Sequence, residues 1–176
     1  MTINVCETES LEDGARQLAE KEHQALRHIV GKIRKSCFIY DEDGNPLDSQ
    51  IRIWGAREVQ PVYDKEFNKI SWKFHWHMIV YLDGYPDNLL KTELSKRWTD
   101  KRAINIACVR AKSEAGLRRS LRRLATYPAK ACFTQHHSSE NGTREWLPPP
   151  VVDELAQWMV SRDSQWQRFS LGNRRK

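Results

Sequence analysis

An alternation of side chains between Ile70 and Leu82 constrains this chain more than any other feature. Successive side chains of a β-strand point to opposite faces, so every second residue shares a face. In this segment one set is entirely apolar: Ile70, Trp72, Phe74, Trp76, Met78, Val80 and Leu82. The other set contains His75 and His77. The pattern predicts a strand that buries one face in a core and presents two neighbouring imidazoles on the other, which we call the histidine face.

The segment before this strand predicts its antiparallel partner. Residues 51–63 also have strand character, and the polar residues 64–69 supply a connection. A hairpin that closes on this connection places Glu58 directly opposite His75, within contact distance on the histidine face. A carboxylate and two imidazoles then converge from a sheet without help from loops.

Two imidazoles and a carboxylate on one face can bind a divalent cation. We therefore predict a metal site formed by His75, His77 and Glu58, with Gln60 as the substitute third ligand and Mn²⁺ or Mg²⁺ as the ion. A register slip of one residue would bury the carboxylate unpaired, which is costly. The chosen register has its own cost, because it turns Arg57 toward the apolar face. The alternative is a pair of exposed histidines with no ligand.

Length, composition and cysteines limit the class of protein. At 176 residues, 39% hydrophobic and 30% charged, the chain predicts one soluble globular domain spanning residues 1–176. No apolar run is long enough for a membrane span, and the N-terminus does not resemble a secretory signal. The four cysteines lack C-x-x-C spacing, which disfavours a zinc finger and predicts reduced thiols. We expect an intracellular protein, cytoplasmic or associated with the nucleoid or nucleus, with no membrane partner.

Positive charge is concentrated in residues 110–130. This stretch has seven cationic residues against one acid, Glu114, and its surplus equals the net charge of +6 of the whole chain. Such a patch is typical of a protein that binds a polyanion, and we predict nucleic acid as the partner. An ordinary solvated helix face is the alternative. The predicted DNA-binding residues are Arg110, Lys112, Arg118, Arg119, Arg122 and Arg123.

The order of predicted elements indicates an α+β fold. The elements are a helix at 9–36, the hairpin, a helix at 87–98, a short strand at 104–109, a helix that opens at Ser113, and a helix at 151–162. We expect helices to cover mainly one face of an antiparallel sheet and to leave the histidine face open. Residues 1–40 are predicted as an N-terminal helical segment, and the basic tail at 163–176 is a candidate for disorder.

The basic stretch also contains a tyrosine in a cationic setting. Arg119, Arg123, Tyr127 and Lys130 fall on one helical face at i, i+4, i+8 and i+11. Neighbouring cations favour phenolate, and a phenolate is an oxygen nucleophile. The alternative is a half-buried aromatic ring that packs the helix on the sheet. Pro128 disfavours the α region at the tyrosine, so a helix break is expected there.

These motifs resemble those of the HUH endonucleases. Residues 75–77, H-W-H, resemble the His-hydrophobic-His motif, and residues 127–130, Y-P-A-K, resemble the Y-x-x-K motif. Glu58 lies on the strand from which members of the superfamily often supply a third metal ligand. Histidines before the tyrosine resemble the order in rolling-circle replication initiators and single-tyrosine transposases, whereas conjugative relaxases usually place the tyrosine first. The resemblance covers residues 51–133.

The resemblance implies an RRM- or ferredoxin-like nuclease core that nicks and rejoins single-stranded or hairpin DNA. His75, His77 and Glu58 would hold Mg²⁺ or Mn²⁺, which polarises the scissile phosphate. Tyr127 would attack phosphorus in line, form a 5′-phosphotyrosine and free a 3′-hydroxyl, while Lys130 positions the reacting groups or stabilises charge. The sequence has no G-x-x-x-x-G-K-[ST] phosphate loop. A separate helicase would then unwind the DNA, unless the chain is a fragment of a longer polypeptide.

Other functions are compatible with the sequence. A non-catalytic DNA- or RNA-binding protein would need no metal. A metal hydrolase with an activated water on His75 and His77 would release two free ends, although H-x-H hydrolases on large barrels need a longer chain. A replication initiator and a transposase share one chemistry, and the sequence does not distinguish them. Tyr81 and Tyr85 are the nearest alternative nucleophiles, and Tyr85 is also a candidate for stacking on unpaired bases.

Overall fold

The computed structural model of this chain describes residues 1–45, 50–64, 66–109, 111–126, 134–136, 144–163 and 166–171. Its elements are β1 (Thr2–Thr8), α1 (Leu11–Lys21), a π-helical turn (Glu22–Leu26), α2 (Arg27–Ser36), β2 (Arg52–Asp64), β3 (Lys69–Tyr81), α3 (Asp87–Arg97), a 3₁₀ turn (Lys101–Ala103), β4 (Ile104–Asn105), α4 (Glu114–Thr126), β5 (Thr134–His136), β6 (Arg144–Trp146), α5 (Pro149–Val160) and β7 (Arg168–Leu171). Three predicted site residues, Arg110, Tyr127 and Lys130, lie outside the described residues.

An antiparallel sheet of five strands organises the fold, in the order β4-β1-β3-β2-β7. Strands β5 and β6 form a separate pair. The β2–β3 hairpin has the predicted register, because Glu58 pairs with His75 and Arg52 pairs with Tyr81. The α+β class is therefore confirmed, whereas the RRM- or ferredoxin-like core stays a prediction.

Helices cover the apolar face of β3. Trp72, Phe74 and Trp76 are almost completely buried there. Helix α1 approaches so closely that a Cβ atom on Gly14 would lie 1.9 Å from Phe74 Cε2, and Trp158 of α5 meets the same phenyl ring edge-on at 6.3 Å between ring centroids. Since the apolar side chains of β3 serve as the core, its histidines are left on the opposite face.

Two strands occupy segments with other predicted structure. Strand β1 begins the segment predicted as helical and pairs with β3 along the edge that β2 leaves unpaired. Strand β7 lies inside the predicted tail and pairs with β2, where the Phe169 ring covers Gly55 so closely that an added Cβ would lie 2.3 Å from it. Strand β4 covers only the first two residues of the predicted strand at 104–109. The β1–β3 and β2–β7 pairings join segments that are far apart in sequence, so local sequence carries little signal for either strand.

The predicted cost of turning Arg57 toward the core is offset by a polar cluster. Its Nε donates to Glu22 Oε2 at 2.9 Å and its Nη2 donates to Glu22 Oε1 at 3.0 Å. Its Nη1 donates to the Trp166 carbonyl, and its guanidinium lies 5.6 Å from the centroid of the Phe169 ring. A fork of hydrogen bonds and aromatic contact suit a buried guanidinium. The cluster supports the register that keeps Glu58 on the histidine face.

None of the helices within the described ranges combines the length and the apolar character needed to cross a membrane.

Candidate functional site

The structure brings the three predicted metal ligands onto one sheet face. His75 and His77 lie on the central strand β3, with ring centroids 6.2 Å apart and ring planes inclined by 24°. Glu58 lies on β2 directly opposite His75. Its carboxylate contacts His77 Nε2 in a short hydrogen bond. Gln60, the predicted substitute ligand, pairs with Lys73 one step nearer the turn.

His75 is held in the protonation state that a metal ligand needs. Its side chain is only 8% exposed, and its Nδ1 lies 2.6 Å from Asn4 Oδ1. An amide oxygen only accepts, so Nδ1 carries the proton and Nε2 has the lone pair. Burial lowers the pKa of His75; the carboxylate of Glu58 opposes this lowering, and His77 and Lys73 reinforce it. The neutral imidazole is therefore the favoured form.

The Nε2 atom of His75 is the unusual feature of this face. It is fully buried and has no hydrogen-bond partner among the described residues. Buried polar atoms are nearly always paired, and the exceptions need an explanation such as an absent ion. An imidazole nitrogen with a free lone pair, next to a second imidazole and a carboxylate, is a donor set that fits Mn²⁺ or Mg²⁺.

His77 can exist in two tautomers with the same neighbours. Its Nδ1 lies 3.0 Å from Thr2 Oγ1, and a carboxylate can only accept, so the neutral ring donates from Nε2 to Glu58 and accepts from Thr2 at Nδ1. Binding a metal through Nε2 requires the proton on Nδ1 instead. The Thr2 hydroxyl can then accept rather than donate. Both states of His77 are thus satisfied by one threonine.

The side chains of His75, His77 and Glu58 are not arranged around a shared metal position in this structure. Within the described ranges no group of three or more His, Cys, Asp or Glu side chains is arranged around a metal position. In this arrangement Glu58 is engaged by His77 directly. The structure therefore places the three side chains on one sheet face, and the metal site itself stays a prediction.

Sequence reasoning missed Thr2 and Asn4. Both lie on β1, where Thr2 pairs with His77 and Asn4 pairs with His75. Ile3 and Val5 are buried between and beside them, so the segment does alternate. The alternation covers too few residues to identify a strand without its partner.

The basic helix α4 is exposed along the part that the structure describes. Lys112 precedes it, and Arg118 pairs with Glu114 at 2.6 Å in an exposed i,i+4 ion pair. The other predicted DNA-binding residues within the helix, Arg119, Arg122 and Arg123, also have exposed side chains. These side chains are therefore accessible to solvent, and DNA binding stays a prediction.

The two alternative tyrosines are poor nucleophiles in this fold. Tyr81 lies on the histidine face, but its hydroxyl donates to Asp83 Oδ1 at 2.9 Å. This hydrogen bond, together with the negative charge of Asp83, raises the pKa of Tyr81 and disfavours phenolate. Tyr85 is buried, so the prediction that it stacks on bases is wrong. The predicted nucleophile Tyr127 and its companion Lys130 lie outside the described residues.

Comparisons with known proteins add no assignment. No protein-family model matches this chain, and neither curated proteins nor solved structures include a match. The resemblance to HUH endonucleases therefore stays a prediction that rests on the two sequence motifs.

Proposed function

We propose that this protein is a metal-dependent nickase and strand transferase for single-stranded DNA, of the single-tyrosine HUH type. One observation carries the proposal: His75, His77 and Glu58 meet on one sheet face, and the buried Nε2 of His75 has no partner among the described residues. In this proposal the three side chains hold the metal, and the exposed basic helix α4 binds the DNA. The same chemistry serves rolling-circle replication and transposition.

The chain's own residues prepare the site. Asn4 holds the His75 proton on Nδ1, and Thr2 accepts the proton of His77 Nδ1 when Nε2 becomes a ligand. Mn²⁺ or Mg²⁺, when bound, supplies a Lewis acid that polarises an oxygen of the scissile phosphate. Burial of His75 keeps competing protonation low near neutral pH.

Tyr127 supplies the nucleophile in this proposal. Its phenol oxygen attacks phosphorus in line, a tyrosine–phosphorus bond forms, and the bond from phosphorus to the 3′-oxygen breaks. The phenol gives up one proton, and the leaving 3′-oxygen takes up one proton to become a hydroxyl, so the step is balanced. The reverse attack by a 3′-hydroxyl restores the strand and frees the tyrosine. Lys130 stabilises charge near the phosphate, and a separate helicase supplies unwound DNA.

The basic side chains of α4 hold the DNA backbone in this proposal. Arg118, Arg119, Arg122 and Arg123 are exposed on one helix, and contacts from such side chains to phosphate position a strand without reading its sequence. Their exposure also supports the second candidate function, a non-catalytic nucleic-acid-binding protein. Covalent chemistry distinguishes the two.

The experiment is capture of covalent protein–DNA adducts. Protein is incubated with a random pool of single-stranded oligonucleotides and Mn²⁺, denatured, and the attached DNA is sequenced. We expect adducts with wild type and none with Tyr127→Phe, with His75→Ala/His77→Ala, or after chelation with EDTA. Mass spectrometry should place the nucleotide on Tyr127.

Three results would contradict the proposal. Cleavage into two free ends without an adduct would indicate a metal hydrolase. Tight DNA binding with no cleavage across the pool would indicate a binding protein. An adduct on Tyr81, or one that persists in Tyr127→Phe, would refute the assignment of the nucleophile.

A further inference from the structure

An aromatic strip lies on the histidine face, at the end of the hairpin remote from its turn. We define the strip as Trp54, Ile79 and Tyr81. Trp54 pairs directly with Ile79 across β2 and β3, and Tyr81 follows Ile79 on the same face. The side chain of Trp54 is 42% exposed and that of Tyr81 is 50% exposed. Large rings that stay exposed on an open sheet face are candidates for binding a partner.

The strip is continuous with the candidate metal site. Ile79 lies two residues after His77 on β3. Trp54 lies two residues before Ala56, and Ala56 is the cross-strand partner of His77. Residues two apart on a strand are separated by about 6.6 Å. The strip therefore begins about 7 Å from His77 along the strand and ends at Tyr81, about 13 Å away. A ligand at the metal site can reach the rings without leaving the sheet.

Cations flank the strip on the same face. Arg52 pairs with Tyr81, and Arg168 on β7 pairs with Ala56, and both arginine side chains are exposed. The carboxylate of Asp83 contacts the strip, but it already accepts from the Tyr81 hydroxyl and from the Gln50 backbone N–H, each at 2.9 Å. Aromatic rings flanked by guanidinium groups are complementary to a ligand in which flat, stackable groups are joined by anionic groups.

We propose that the aromatic strip stacks unpaired bases of single-stranded DNA next to the scissile phosphate, while Arg52 and Arg168 contact the flanking phosphates. Stacking requires an open base face, which a duplex hides within its own stack, so the ligand is single-stranded. The inference rests on the proposed function for the identity of the strand. It adds a binding surface to the metal site and places the strand along β2 and β3.

The test measures binding without chemistry. Fluorescence anisotropy follows a labelled oligothymidylate of about 12 nucleotides, within the usual range of site sizes, in EDTA so that no cleavage occurs. Trp54→Ala should weaken binding by roughly 5- to 100-fold, since stacking contributes that much per base, and Tyr81→Ala should act in the same direction. Trp54→Phe should retain most of the affinity because it keeps a ring.

Matched controls separate stacking from charge and from folding. Phe67 is an even more exposed ring at the turn, at the opposite end of the hairpin, and Phe67→Ala should bind like wild type. An abasic oligonucleotide of the same length should bind wild type and Trp54→Ala equally. Arg52→Gln and Arg168→Gln should weaken binding of both oligonucleotides. Urea unfolding midpoints confirm that the variants are folded.

Two results would overturn the inference. Wild-type affinity of Trp54→Ala and Tyr81→Ala for oligothymidylate would exclude stacking on the strip. Equal affinity of the wild-type protein for duplex and single-stranded DNA would exclude single-stranded DNA as the specific ligand of the strip. The binding assay uses neither divalent metal nor Tyr127. A negative adduct experiment therefore does not contradict binding by the strip, and a negative binding assay does not contradict covalent nicking.

Discussion

Glu22→Gln should destabilise the fold by about 3 kcal/mol, because it leaves the guanidinium of Arg57 without its counter-charge. The pair is bidentate, with contacts of 2.9 and 3.0 Å, and its side chains are 15% and 14% exposed. Removing one partner of a fully buried pair costs roughly 3–5 kcal/mol, and the small remaining exposure places this pair at the lower end. Glutamine has nearly the same shape as glutamate, so the loss of folding stability measures the effect of removing the negative charge.

The assay is a double-mutant cycle by urea unfolding, with thermal unfolding measured on the same variants. We expect Glu22→Gln to lower the midpoint of thermal unfolding by about 6–12 °C. Arg57→Met alone should also destabilise, and the double variant should be more stable than the sum of the two losses by about 1–3 kcal/mol. The matched control is Arg16→Gln, which removes an exposed pair with Asp13 and should leave stability nearly unchanged.

The outcome bears on the site as well as on stability. Arg57 and Glu58 are neighbours with opposite faces, so the ion pair that holds Arg57 on the core side also holds Glu58 beside His77. Additive losses in the cycle, or a loss in Glu22→Gln no larger than in Arg16→Gln, would refute the reasoning that this pair stabilises the register.

Three further predictions concern the site and the basic helix. Asn4→Leu should lower the affinity for Mn²⁺ by about 10- to 100-fold in titration calorimetry, because the His75 tautomer is no longer held; wild-type affinity would exclude this role. Replacing Arg119, Arg122 and Arg123 together by Gln should reduce the slope of log affinity for single-stranded DNA against log salt by about 2, and an unchanged slope would rule out α4 as the phosphate contact. Folding stability should fall as the pH drops below about 6.5, because burial lowers the pKa of His75 in the folded protein and the unfolded chain therefore takes up the proton first. In urea unfolding, His75→Gln should lack this component of the pH dependence. Equal pH profiles for the two proteins would contradict the prediction.

The sequence by itself determined the hairpin and its register. Alternation along β3 is a local, period-2 signal, and the polar connection limits where the two strands meet. From these two features follow the buried rings of Trp72 and Phe74 and the pairing of Glu58 with His75. The N-terminal helix is predicted by the same kind of local signal, and the structure has it from Leu11 to Ser36 with a π-helical turn inside.

Only the tertiary structure decided what surrounds the histidines. Thr2 and His77 are 75 positions apart in sequence, and Asn4 and His75 are 71 apart, so no local pattern can place them together. The neutralisation of Arg57 by Glu22 likewise joins a helix to a strand 35 residues away. Side-chain type and spacing determine which groups share a face of one hairpin, whereas the protonation state of each imidazole depends on neighbours that only the assembled sheet supplies.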